Sequence, residues 1–434
     1  SGHAFEVQER RYWMPQALAP AGASPQPLTD ADAVDRIEEV LAEAVRLQMV
    51  ADVPVGAFLS GGIDSSLIVA LMQRASTRPV RTFSIGLWDE EYNEAPFARS
   101  IAKHLGTQHT ELMITPNDAL AVIPRLPDIY DEPFADSSQI PMYLVSQLAR
   151  RDVTVSLSGD GGDELFGGYP QYPFNLDYWR RVQRVPAPVR ATLLQILSRM
   201  PLHWIELMTQ PARWVGRGQR HLADRIKERS AVVFAGSFAE HYRAQLSFWQ
   251  WPGEVVMGAR EPDTVLSRRA EWPTGVAELA QMMYIDTCQY LPDDILVKVD
   301  RAAMAVSLET RVPLLDPQVA RAVWSIPLET HNRGGTPKWV LRQVLARHVP
   351  PELFERPKRG FSIPVGRWLR NELRDWAGDL LDGSRLRRQG ILEPRVVARR
   401  WQQHRDGIAD WSVQLWTVLM FQAWLERWQA GTHS

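Results

Sequence analysis

The sequence predicts an α/β fold: a parallel sheet covered by helices on both faces, followed by a mostly helical C-terminal half. Two observations predict it. Over roughly the first 160 residues, apolar strand-like runs alternate with helical patterns, the order that builds parallel sheets. Two glycine-rich loops, Ser60-Gly61-Gly62 and Ser158-Gly159-Asp160-Gly161-Gly162, each follow such a run directly. In parallel sheets ligands gather at that place, beyond the carboxyl ends of the strands. From about residue 175 the pattern is mostly helical and rich in Trp and Arg, with Trp179, Trp204, Trp214, Trp249 and Trp251 in the middle third.

In chain order, residues 1–28 read as a linker: Ser1-Gly2-His3 is compatible with a cloning remnant, and Ala17 to Pro27 is rich in Ala, Gly and Pro. Thr29 is placed to cap a helix whose apolar residues Val34, Ile37, Leu41 and Ala44 recur at helical spacing. Strands are expected near 53–59, 81–86, 109–114 and 153–157, with helices at 65–75, 94–105 and 141–150 between them. Asp294, Lys298, Asp300 and Arg301 fall on a helix-like stretch whose spacing allows salt bridges along one face. Glu309 and Arg311 are suited to pair within the fold. Leu415 to Leu425, broken by Gln422, reads as a buried helix and falls short of the roughly 18 apolar residues of a membrane span.

The 434 residues suit one large unit or two moderate ones, and 45% hydrophobic content supports a sizeable core. A formal net charge of -2 argues against a nucleic-acid polyanion as the main partner. Aromatics interleaved with Arg suit single-stranded nucleic acid, but large buried aromatics with charged outer faces are the commoner cause. The single cysteine, Cys288, excludes an internal disulfide framework and fits a reducing cytoplasm. No signal peptide or membrane partner is expected. The histidines show no metal-ligand spacing.

The run Ser60-Gly61-Gly62-Ile63-Asp64-Ser65-Ser66 reads strand, loop, helix. Such a loop aims backbone N–H groups and the positive end of a helix dipole at one point, which favours an anion. Ser60, Ser65 and Ser66 add hydroxyls. Asp64 repels a phosphate unless a divalent cation bridges the two, as Mg²⁺ does. The same residues also read as an ordinary tight turn. No Lys follows the glycines, which excludes a Walker A loop, and no Gly-x-Gly-x-x-Gly fingerprint follows a strand elsewhere. The second loop adds Asp160 and Asp163, and Asp163 is positioned to share a metal with Asp64 if the two strands are neighbours. Its alternatives are a surface turn or a calcium-type loop, although the EF-hand spacing is not met.

The first loop resembles the PP-loop of the N-type ATP pyrophosphatases, which implies a PP-loop (HUP-like) core. With Leu157 to Tyr169, Lys298 to Asp316 and Arg356-Pro357-Lys358-Arg359-Gly360-Phe361, the chain resembles the synthetase domain of the glutamine-dependent asparagine synthetases, together with the β-lactam synthetases and lasso-peptide cyclases. The resemblance implies ATP-dependent amidation of a carboxylate through an acyl-adenylate, with ammonia displacing AMP. It places Leu59, Ser60, Gly61, Gly62, Asp64, Ser65, Ser66, Ile85, Ser158 and Gly159 at ATP and pyrophosphate, Asp64 and Asp163 at Mg²⁺, and Lys358 and Asp160 in catalysis. Read without the family, Lys358 is one of several basic residues on a loop.

The resemblance also implies an organisation. Residues 1–28 would be the junction to an N-terminal glutaminase domain, and 29–434 the synthetase-type domain. Within it, 29–175 and about 280–370 would carry the nucleotide and acceptor site, with 176–279 and 371–434 mostly helical. No glutaminase cysteine heads this chain, so free ammonia is its expected nitrogen source. Asp160 stands where many members have Glu, and Asp131 to Ile140 differs from the aspartate-receiving segment of the enteric enzymes. The resemblance makes aspartate the first expected acceptor, but these departures put the acceptor's identity in doubt and keep a surface-polysaccharide uronic acid or a peptide carboxylate as alternatives. A non-catalytic nucleotide-binding module and a tRNA-modifying PP-loop enzyme are the other classes. A homodimer is one arrangement the resemblance allows.

Overall fold

The computed structural model describes residues 10, 28–87, 93–200, 204–205, 207, 222–356 and 363–429. The expected linker therefore lies almost wholly outside the described residues, as does Trp214. Helix α1 (Asp30–Gln48) begins at Thr29 with a reciprocal cap: the Thr29 hydroxyl accepts from the Asp32 amide, and the Asp32 carboxylate accepts from the Thr29 amide. Its buried stripe is Ala33, Val34, Ile37, Leu41, Ala44 and Val45.

Five strands form one parallel sheet: β1 (Val55–Phe58), β2 (Arg81–Leu87), β3 (Gln108–Ile114), β4 (Val155–Leu157) and β5 (Glu309–Arg311), in the order β3-β2-β1-β4-β5. Gly56 in β1 lies opposite Arg81 on one side and Ser156 on the other. The chain starts at β1, moves outward to β3, and returns to β4 on the opposite flank. That reversal opens a crevice between the carboxyl ends of β1 and β4. Both glycine-rich loops leave the sheet there.

The four expected strands are present with shifted ends. The fifth was not anticipated. Three residues are too few to display an alternating pattern, and β5 exists through its pairing with β4 and its anchoring to α1. The Arg311 guanidinium donates to the carbonyls of Gln48 at 2.7 Å and Val50 at 2.8 Å. Glu309 and Arg311 do pair, at 2.6 Å.

One face of the sheet presents Phe83, Ile85 and Ile114 to the helix Gln139–Ala149 and to C-terminal helices. The other presents Ala57, Val155 and Leu157 to α1, α2 (Ile63–Ala75) and α3 (Ala95–Leu105). Tyr172, Trp179, Tyr242 and Met283 belong to a third core in the helical half. There Arg190 stacks over buried Trp179, 5.2 Å from the ring centroid, so this part of the Trp/Arg pattern is packing. Residues 415–425 lie within the helix Ser412–Gln429, as expected, with Leu415 and Leu419 fully buried. Among the described residues no helix is long and apolar enough to cross a membrane.

The stretch around Asp294 differs from expectation. An α-helix (Glu278–Ile285) passes into a π-helix (Asp286–Leu296) containing Pro292, then into another α-helix (Val297–Met304). The ion pairs run outward instead of along the helix: Lys298 bonds Asp136 at 2.8 Å, and Arg301 bonds Asp131 at 2.9 Å. The wider π turn shifts which side chains stack, and Pro292 removes a backbone donor.

Candidate active site

A cavity of about 660 Å³ occupies the crevice, and both loops line it. At the first loop Gly61 takes a left-handed conformation at φ 75°, open to glycine without strain. Hydroxyls close the loop on itself. The Ser65 hydroxyl accepts from the Ser60 amide at 3.2 Å and lies 3.0 Å from the Ser60 hydroxyl, which accepts from the Gly62 amide at 3.2 Å.

The two loops touch. A Cβ on Gly159 would lie 2.6 Å from the Ser65 nitrogen, and one on Gly162 would lie 2.5 Å from an Asp64 carboxylate oxygen. Glycine at both positions lets Asp64, in the first turn of α2, meet Asp163, in the first turn of the short helix Gly162–Phe166.

The structure thus brings Asp64 and Asp163 to one point, and Lys338 stands between them. Its ammonium bonds Asp163 at 2.8 Å and also bonds Asp64. Burial disfavours its charge, but the Asp163 and Asp64 carboxylates outweigh that and hold Lys338 charged, above its usual range. Lys338 precedes the helix Trp339–Ala346 with φ 56°, a left-handed conformation rare for a side chain of this kind, which the surrounding packing must impose. The Lys338 stem lies against Gly168, where a Cβ would collide with it.

Of the other expected residues, Leu59, Ser60, Gly61, Gly62, Ser65, Ile85, Ser158, Gly159 and Asp160 all line the cavity. Ser66 is fully buried and is not part of that lining, and its amide is spent on the Gly62 carbonyl at 3.1 Å, the first turn of α2. Burial pushes the Asp160 carboxyl above its usual range, opposed by the field of Lys298 and a bond from Ser158. Lys358 lies outside the described residues.

Sequence reasoning assigned no role to Lys338, Arg356, Glu94 or Glu164, all on the cavity wall. Arg356 pairs with Glu94 at 3.1 Å and sits 4.1 Å from the ring centroid of Phe97, clamping the start of α3 against the first loop. Glu164 accepts a 2.5 Å bond from Tyr169, and burial raises its carboxyl to about 7. The missed signal for Lys338 was Gly334-Gly335-Thr336-Pro337-Lys338, a third glycine-rich entry to a helix.

The donor set fits a hard divalent cation. Two carboxylates reach one point, and Mg²⁺ typically takes one or two carboxylates together with phosphate oxygens and water. Among the described residues no group of three His, Cys, Asp or Glu forms a metal cage.

The asparagine synthase family model matches residues 36–426. The chain belongs to the asparagine synthase family. It is 33% identical over 397 residues to asparagine synthetase (glutamine-hydrolyzing) 1 of Bacillus subtilis (strain 168), covering 90% of this chain and 59% of that protein. It is 35% identical over 427 residues to a putative asparagine synthetase (glutamine-hydrolyzing) of Mycobacterium tuberculosis (strain ATCC 25618 / H37Rv), covering 95% of this chain and 60% of that protein. Similarity to asparagine synthetase B of Escherichia coli (strain K12), 33% identical over 153 residues, covers 31% of this chain and 27% of that protein. The chain therefore spans about 60% of the length of the first two relatives.

Proposed function

We propose that this chain forms an amide on a carboxylate at the expense of ATP, with aspartate as the first acceptor and ammonia as the nitrogen donor. In an assembly with a glutaminase domain, glutamine would supply the ammonia. The observation that carries the reading is the pair Asp64–Asp163 bridged by Lys338 at the sheet's switch point.

In this reading the acceptor carboxylate oxygen attacks the α-phosphorus, the α–β bond breaks, and pyrophosphate leaves. Ammonia then attacks the acyl carbon, surrenders a proton, and AMP departs. Backbone amides of the first loop receive the pyrophosphate, with the Ser60–Ser65 hydroxyl network holding the loop's shape. Asp64 and Asp163 would hold Mg²⁺, which would supply charge neutralisation at the leaving group. Lys338 supplies a fixed cation beside the same oxygens, and Lys358 does so at the α-phosphate, following the family motif. Asp160 faces the acceptor, where its raised pKa suits proton transfer.

A carboxylate screen with ATP, Mg²⁺ and ammonium, reading pyrophosphate and product mass, tests the proposal. Asparagine from aspartate supports it in full. Product only from a uronic acid keeps the chemistry and changes the acceptor, and pyrophosphate release from no carboxylate removes the reading. Lys358→Ala should fold and lose pyrophosphate release, and near-normal release would take Lys358 out of the mechanism.

A further inference from the structure

The helix Ala187–Arg199 is apolar on both sides. Its inner side packs against the helix Leu222–Val233. There the buried Arg190 guanidinium donates to the carbonyls of Ala235 at 2.7 Å and Gly236 at 3.1 Å. Its outer side carries Val189, Leu193 and Ile196, which are 48%, 37% and 50% exposed. At about 100° per residue these three fall within roughly 60° of one another, a continuous stripe. Val185 just before the helix, and Trp204 and Leu207 beyond it, are exposed as well. Single exposed apolar residues are ordinary, but a stripe of them calls for a covering surface.

The sequence around the stripe is mostly basic, with Asp177 just before it and Glu206 between Trp204 and Leu207 as acids. From Tyr178 to Met200 there is no acidic residue, while Arg180, Arg181, Arg184, Arg190 and Arg199 all fall in this stretch. Arg180 pairs with Asp177 and Arg190 points inward. Arg181, Arg184 and Arg199 are exposed and make no ion pair among the described residues. We propose that this helix seats on the headgroup layer of an anionic lipid bilayer, its apolar stripe entering the acyl boundary and its arginines meeting phosphates.

A second copy fits less well. A twofold contact sets a patch against itself, and here that would set a mostly basic surface against itself. The sequence reading assigned no membrane partner because no segment spans, but a helix lying on a surface needs no span. The helix Gln171–Val182, which leads to this one, contributes Pro173 to the cavity wall and exposes the adjacent Phe174. One helix thus links the stripe to the cavity wall.

The test is sedimentation of the full chain with vesicles of phosphatidylglycerol and phosphatidylcholine, against phosphatidylcholine alone. Low-salt binding to the anionic vesicles is expected, lost at about 1 M salt. Leu193→Asp combined with Ile196→Asp should weaken it by about tenfold or more at an unchanged melting temperature. Arg181→Glu with Arg184→Glu should weaken it while leaving the stripe intact. Wild-type protein that stays in the supernatant, pellets equally with neutral vesicles, or binds undiminished in the stripe variant overturns the proposal. So does a dimer, seen by light scattering, that the stripe variant dissolves in the absence of vesicle binding. The assay involves no ATP turnover, so its failure leaves the amidation reading untouched, and the reverse also holds.

Discussion

Lys338 concentrates the site's electrostatics in one side chain. Removing it takes away the ammonium that bonds both Asp64 and Asp163. Lys338→Met should lower pyrophosphate release by about 100-fold or more, the usual cost of losing one preorganised charge at a reacting phosphate. It should also lower the melting temperature in EDTA, with Mg²⁺ restoring part of the loss because a divalent cation answers the same two carboxylates. Turnover within about threefold of wild type would remove Lys338 from the mechanism. The loop contact yields a contrasting pair. Gly162→Ala pushes only against the Asp64 carboxylate, so it should cost activity more than stability. Gly159→Ala pushes its methyl against backbone at Ser65 and Asp64, so it should cost about 1–3 kcal/mol in urea unfolding. Equal stability of the two variants would contradict this account of the contact. At this scale Ser60, Asp64 and Asp163 were legible because glycine-rich turns after apolar runs have a local signature. Lys338 was not: its glycine-rich approach Gly334-Gly335 is a local cue, but its partner Asp64 lies 274 positions away and nothing in the sequence joins the two.

Elements were legible where their periodicity was local. α1 could be read from Thr29 and four apolar residues, and β1 to β4 from apolar runs bounded by turns. β5 has no sequence signature apart from its pairing with β4. The π-helix escaped notice because a 3.6-residue reading has no place for a wider turn. That segment starts at Asp286, which is fully buried and accepts hydrogen bonds from Tyr172 and Tyr242, both at 2.7 Å. Burial raises its carboxyl from 3.8 to about 6, and the two tyrosine hydroxyls only partly offset the effect. The folded chain therefore keeps this proton where the unfolded chain has lost it. Its contribution to stability is complete below about pH 4 and disappears as pH rises through 6, a change of about 3 kcal/mol. Asp286→Asn retains an acceptor for both tyrosines and removes the charge. Relative to wild type it should gain stability between about pH 4.5 and 7 in urea titrations, and parallel pH profiles for the two proteins would refute the assignment.

At the scale of the whole molecule, three of the stretches that line the cavity lie far apart in sequence: 58–65, 158–170 and 335–342. The sheet order explains how. Reversal between β1 and β4 sets the first two loops side by side, and the helix Trp339–Ala346, packed on α1 and α2, carries Lys338 to them. A ligand held by all three should stabilise them as a unit. A non-hydrolysable ATP analogue with Mg²⁺, at about 100 times its Kd, should add about 2.7 kcal/mol and raise the melting temperature by a few degrees. EDTA should remove most of that gain. Hydrogen exchange should slow at all three stretches over one range of nucleotide concentration, because the bound phosphates draw on Asp64, Asp163 and Lys338 together. Protection confined to the first loop would mean that the nucleotide is held there alone, and that the Lys338 bridge belongs to the fold and not to catalysis.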